Sequence, residues 1–136
     1  MDGVLLDTNV LSELLKKRPQ ASVVRALGAL SATDLYTSSI CVMELRRGAC
    51  AHPQSEALWQ RIQSQLLSRV QILDFGEHEA VLAGDIGAQL SARGQPVGTE
   101  DVQIAATALA HGLILATRNT RHFERIPTLR TANWWI

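Results

Sequence analysis

The stretch that most constrains this chain is Gly3-Val4-Leu5-Leu6-Asp7-Thr8-Asn9-Val10-Leu11, an apolar run that stops abruptly at an acid, a hydroxyl and an amide. A continuous apolar run this short reads as a strand buried on both faces, the signature of a parallel sheet covered by helices. Asp7 stands where the strand ends, and in open parallel sheets the carboxyl ends of the strands line the ligand crevice. Taken alone, Asp7 or Asn9 reads equally well as a cap for the segment that follows. Three later polar landmarks fall where the pattern predicts the same edge, and these tip the reading toward a site.

The rest of the chain alternates short apolar runs with amphipathic stretches. Helices are expected over Val10 to Leu15, closed by Lys16-Lys17-Arg18-Pro19, and over Ser22 to Leu30, with Val23, Val24, Leu27 and Leu30 on one side. Leu35-Tyr36-Thr37 reads as a second strand, and Ser38 and Ser39 as N-caps for a helix from Cys41 to about Cys50. Glu56 to Leu67 forms the next helix, with Leu58, Ile62 and Leu66 inward, followed by a strand from Val70 to Leu73. A long helix from Glu77 to Arg93 is expected to face Ala80, Val81, Gly84 and Leu90 inward and to stop at Gly94. Gln95-Pro96-Val97-Gly98 reads as a loose linker, and Thr99 as the cap of a helix reaching His111, with Gly112 as its stop. Leu113 to Ala116 is a fourth buried strand, and a weak last strand lies near Leu129-Arg130-Thr131. Strands alternating with helices, at the length of one ordinary domain, predict a single α/β unit over 1–136: a three-layer α/β/α sandwich with a largely parallel central sheet. The apolar Trp134-Trp135-Ile136 end is expected to dock on the domain or on a partner.

Composition narrows the functional classes. Lys+Arg and Asp+Glu balance at 13 each, so any nucleic-acid contact runs through a local patch, and aromatics at 4% argue against extended base-stacking platforms. Cys41 and Cys50 lack the number and spacing of a disulfide framework or a zinc site, and read as small buried residues in a reducing compartment. No signal peptide is apparent at the start, and Ile104 to Ala116 is too short to span a bilayer, so a soluble cytoplasmic protein with no membrane partner is expected.

The candidate chemistry lies in four places. Asp7 ends the first strand; Glu44 lies about one turn into the helix after the second; Asp101 opens the helix before the fourth strand; Asn119 follows that strand. Each has an ordinary alternative: a solvated helix face for Glu44, a first-turn acid favoured by the helix dipole for Asp101, a turn residue for Asn119. Gathered together, three carboxylates repel strongly unless a cation or a retained proton relieves them, and oxygen-only donors select a hard ion such as Mg²⁺ or Mn²⁺. No Ser–His or Cys–His arrangement competes, so the acids favour metal-assisted phosphodiester hydrolysis over acyl transfer. Arg118, Arg121 and Arg125 read either as a solvated face or, beside a metal site, as phosphate contacts. His111 reads as a helix-end residue, and His122 stays open.

Four blocks, Asp7-Thr8-Asn9-Val10-Leu11-Ser12-Glu13, Glu44-Leu45-Arg46-Arg47-Gly48, Asp101 through Ala108, and Ala116-Thr117-Arg118-Asn119-Thr120, resemble the signature blocks of the PIN-domain ribonucleases. The likeness runs to the VapC toxins of type II toxin–antitoxin systems, in particular their FitB-like branch, and spans almost the whole chain in order. It implies a cytoplasmic Mg²⁺- or Mn²⁺-dependent endoribonuclease that dimerises. It also implies a cognate antitoxin, commonly a DNA-binding dimerisation domain joined to a tail that wraps the toxin. By position Asp7, Glu44 and Asp101 match the family's acids, whereas the fourth position, usually Asp, is Asn119, which weakens a second metal site. On this reading Asp7 and Asp101 hold the metal, Glu44 orients the attacking water, Thr8 and Thr117 donate hydroxyl hydrogen bonds, and Arg46, Arg118 and Arg121 hold RNA phosphates. Two other classes stay open: a PIN-like module that only binds antitoxin or nucleic acid, and a phosphatase or DNA nuclease using the same carboxylates.

Overall fold

The computed structural model describes residues 3–136. Five short strands, β1 (Val4–Leu6), β2 (Leu35–Ser38), β3 (Gln71–Leu73), β4 (Ile114–Ala116) and β5 (Thr131–Ala132), form one sheet in the order β3-β2-β1-β4-β5. All neighbouring strands run parallel, with Leu5 opposite Tyr36 on one side and Leu115 on the other. Seven α-helices flank the sheet among the described residues: α1 (Thr8–Leu14), α2 (Ala21–Gly28), α3 (Ser39–Cys50), α4 (Ser55–Gln65), α5 (Glu77–Ala92), α6 (Thr99–Ala110) and α7 (Thr120–Phe123). This is the expected three-layer α/β/α sandwich.

The strand order explains where a site can form. From central β1 the chain adds β2 and β3 on one side, then crosses over to add β4 and β5 on the other. The direction of winding therefore reverses between β1 and β4, and the connections leaving these two strands part to open a crevice at their carboxyl ends. Leu5 and Leu115 are fully buried there, and the pairing extends one residue further, with Asp7 N–H donating to Ala116 O at 3.0 Å. The crevice floor is thus tied directly to the core.

Helix ends largely follow local chemistry. Asp7 caps α1 by accepting from Thr8 N–H, so the helix starts two residues earlier than the apolar pattern suggests. Ser38 alone caps α3, accepting from Cys41 N–H at 3.1 Å, while Ser39 lies inside the helix and accepts from Phe75 N–H. Thr99 is the first helical residue of α6, and Gly98 occupies the cap position. Gly94 and Gly112, at φ +66° and +65°, follow the ends of α5 and α6 in the left-handed conformation that glycine adopts without steric cost.

The largest departure from the sequence pattern is α5. Glu79, Leu82, Ala83, Ile86 and Leu90 face inward, whereas Ala80, Val81 and Gly84 are exposed, Val81 at 63%. Alanine, valine and glycine recur so densely in this helix that several faces look equally apolar; packing against α6 selects the one carrying the larger side chains. Val24 is likewise exposed on α2, and Cys50 is exposed at the end of α3 while Cys41 is buried. Trp134 and Trp135 pack against the core and only Ile136 projects, so the apolar end docks on its own domain.

Candidate active site at the strand crossover

Asp7 is the most deeply buried acid of the crevice, only 4% exposed. Its Oδ1 accepts from Thr8 N–H at 2.8 Å, and its Oδ2 accepts from the Thr117 hydroxyl at 2.8 Å and from Asn9 Nδ2 at 3.4 Å. Thr117, fully buried at the end of β4, in turn accepts from Asn119 N–H at 3.0 Å and from Asn9 Nδ2 at 3.4 Å. Asn9 also accepts from Arg118 N–H at 3.1 Å, so one amide stitches the turn after β1 to the turn after β4. Burial pushes the Asp7 carboxyl above its ordinary range, hydrogen bonds from Thr117 and Thr8 pull it back, and the charge of Asp101 pushes it up again.

The second acid arrives from α3. Glu44 Oε1 accepts from the Thr8 hydroxyl at 2.6 Å, linking the two helices that leave β1 and β2. Glu44 is also held above the usual carboxylate range, first by burial and then by its neighbours Glu100 and Asp7, with the Thr8 bond opposing. Cys41 lies one turn earlier on the same helix, and its sulfur and oxygens of Asp7 and Glu44 all lie within 4.8 Å of one another. Glu100, in the first turn of α6, touches Glu44 and is gripped by Arg47 at 3.1 and 3.3 Å, which holds it below its ordinary range.

Asp101 follows on α6, with Oδ2 3.5 Å from His122 Nδ1. Asp7, Thr8, Glu44, Asp101, Arg118 and Asn119 line one cleft of about 440 Å³, together with Asn9, Ser12, Glu13, Lys16 and Trp135. The structure therefore brings together all three expected acids, Asn119, Thr8 and Arg118, with Thr117 directly beneath them. Arg46 and Arg121 are not among the lining residues. Two positions after Glu44, Arg46 falls on another helix face and lies over the Trp59 ring of α4 at 5.1 Å; Arg121 is exposed on α7. Arg125 donates to Pro96 O instead of joining a shared arginine patch.

A PIN-domain family model matches residues 4–129. The chain belongs to the PIN-domain family. It is 40% identical over 130 residues to Ribonuclease VapC2 of Haemophilus influenzae, covering 96% of each chain. It is also 37% identical over 125 residues to Toxin FitB of Neisseria gonorrhoeae, covering 88% of this chain and 90% of that one. Among solved structures, FitAcB from Neisseria gonorrhoeae superposes with a TM-score of 0.89 at 35% identity, over 97% of this chain and 98% of that one. These are the VapC and FitB relatives that the four sequence blocks resemble.

Three residues in or beside this PIN domain's cleft carry no functional mark of their own in the sequence pattern. Cys41 carried a usable signal, since it precedes Glu44 by one helical turn and must share its face. Glu100 adjoins Asp101 in a first turn where acids are favoured on any helix, so its approach to Glu44 had no local marker. Trp135 had none, because only the β4–β5 pairing carries the end of the chain to the cleft.

Proposed function

We propose that this PIN domain is a divalent-metal-dependent endoribonuclease, the toxin of a type II toxin–antitoxin pair. The observation that carries the reading is the pair of carboxylates, Asp7 and Glu44, gathered within 4.8 Å at the crossover of a parallel sheet, both held above their ordinary range, with Asp101 on the same cleft. Such a cluster fits a cation, and its oxygen donors fit a hard one such as Mg²⁺ or Mn²⁺. Held by Asp7 and Asp101, the ion would supply positive charge to the scissile phosphate and lower the pKa of the attacking water. Relatives named as a ribonuclease and as a toxin support the substrate class and the biological role.

The chain's own residues have separable tasks. The Thr117 hydroxyl and Thr8 N–H each bind one oxygen of Asp7 and so fix the carboxylate at the cleft it lines. The Thr8 hydroxyl occupies one oxygen of Glu44, and the carboxylate would orient water and accept its proton. Arg118 and Lys16 at the cleft wall suit phosphate contacts. Asn119 offers a neutral oxygen where the resemblance leads one to expect a carboxylate, which favours one tight metal site over two. The antitoxin and the homodimer implied by the family complete the proposal. Among the described residues no helix is long and apolar enough to cross a membrane.

The deciding experiment incubates the protein with single-stranded RNA, single-stranded DNA and a phosphomonoester, each with Mg²⁺, Mn²⁺ or chelator. RNA cleavage that requires metal is expected. Cleavage of DNA or release of phosphate in preference to RNA cutting would support the other carboxylate enzymes, and inactivity of a folded preparation on all three would support a binding module.

A further inference from the structure

Arg118 and Trp135 meet at the cleft wall in an arrangement that the proposed metal chemistry does not use. The Arg118 guanidinium lies over the Trp135 ring, 5.2 Å from its centroid, and both residues line the cleft with Asp7, Glu44 and Asp101. Each is anchored independently of the other. Arg118 N–H donates to Asn9 Oδ1 at 3.1 Å, while the preceding Thr117 N–H donates to Ala132 O at 3.0 Å. Trp135 N–H donates to Asn133 Oδ1 at 2.9 Å, and the half-buried ring packs against the core.

The guanidinium is planar, and among the described residues it is in no ion pair despite the acids around it. Lying over the indole, it keeps the face turned from the ring and its N–H edge for other partners. A flat cation of this kind suits the face of an unpaired nucleobase, and its edge suits a phosphate oxygen. We propose that Trp135 and Arg118 form a stacking platform that takes one unpaired base of the RNA next to the phosphate held at the carboxylates. The inference rests on the ribonuclease reading and adds to it the part of the substrate that is recognised. Among the described residues Trp135 is the one aromatic lining the cleft, so the platform seats a single base. Stacking tolerates any base identity, so the platform reads unpaired structure and leaves sequence to other contacts. A paired base, already stacked in its helix, cannot reach it.

The test measures binding of a fluorescein-labelled single-stranded RNA to wild-type protein in chelator, against a series of the same RNA with one abasic site moved along it. One abasic position is expected to weaken binding roughly five- to hundredfold, the range that one stacked base contributes, and the others to change it little. Trp135→Leu and Arg118→Ala should remove the difference between intact and abasic RNA, and Trp135→Phe should keep most of it. Equal binding of every abasic RNA by wild-type protein overturns the platform, whether or not the Trp135 variants fold. So does an undiminished abasic penalty in folded Trp135→Leu. Cleavage of the same RNAs with Mn²⁺ runs in parallel. Cutting without any abasic penalty sinks the platform and spares the nuclease, a penalty without cutting does the reverse, and a folded protein that neither binds nor cuts RNA overturns both.

Discussion

The two walls of the cleft are built on different principles. On the strand side, Asp7, Asn9 and Thr117 form a closed network at the ends of β1 and β4, with Thr117 wholly shielded, Asp7 nearly so and Asn9 half-buried. On the helix side, Glu44 and Asp101 stand on α3 and α6 and rely on one hydroxyl, a histidine contact and the Arg47–Glu100 pair, whose side chains are 63% and 37% exposed. Buried hydrogen bonds fix geometry because breaking them leaves polar groups unsatisfied, whereas exposed ion pairs are screened and weak. The strand wall should therefore set where the metal sits, and the helix wall should tolerate adjustment.

The harshest way to break this contrast is to remove a metal-holding acid from each wall. Asp7→Asn and Asp101→Asn should each lower metal-dependent RNA cleavage by about a thousandfold or more while the fold, read by circular dichroism, is retained. Cleavage at the wild-type rate in either variant would overturn the metal assignment. Next comes the support beneath Asp7: Thr117→Val removes the hydroxyl that orients Oδ2, and the Mn²⁺ concentration for half-maximal cleavage should rise by roughly ten- to hundredfold. An unchanged metal requirement would show that the strand network is purely structural.

Asn119→Asp restores a carboxylate at the end of β4 and should lower that half-maximal concentration several-fold, with a second Mn²⁺ detectable by calorimetry. If stoichiometry and metal dependence both stay the same, Asn119 is better read as a turn residue.

A smaller effect lies in stability without metal. Burial raises the folded-state pKa of Glu44, so its charged form costs stability above that pKa, and the cost fades as pH falls through it toward the ordinary carboxylate value. Glu44→Gln, which keeps an acceptor for Thr8, should raise the melting temperature in chelator by on the order of 3 °C at neutral pH. The gain should shrink on acidification and on adding Mg²⁺. Glu100 is shifted the opposite way by Arg47, so only the difference between variant and wild type isolates Glu44. A lower melting temperature at neutral pH would make Glu44 a structural partner instead. The smallest effect is expected outside both walls: Arg46→Ala loses an exposed cation–π contact of about 0.5–1 kcal/mol with Trp59 and should leave cleavage within about twofold. A tenfold loss would place Arg46 on the RNA path.

What sequence alone determined is the part of the molecule governed by local rules. A buried strand ending at Asp7, first-turn acids, capping serines and stop glycines are written in consecutive residues, because backbone hydrogen bonding and helix periodicity act over a few positions. Those rules placed the strands within a residue or two and nominated Asp7, Glu44, Asp101 and Asn119. Tertiary structure decided what depends on distant segments meeting. It chose the inward face of α5, where alanine, valine and glycine left the pattern ambiguous, and turned Arg46 onto Trp59 and away from the cleft. It also brought Thr117 under Asp7, Glu100 against Glu44, and Trp135 beneath Arg118. Thr117 is 110 positions from Asp7, and only the parallel pairing of β1 with β4 makes their hydrogen bond possible.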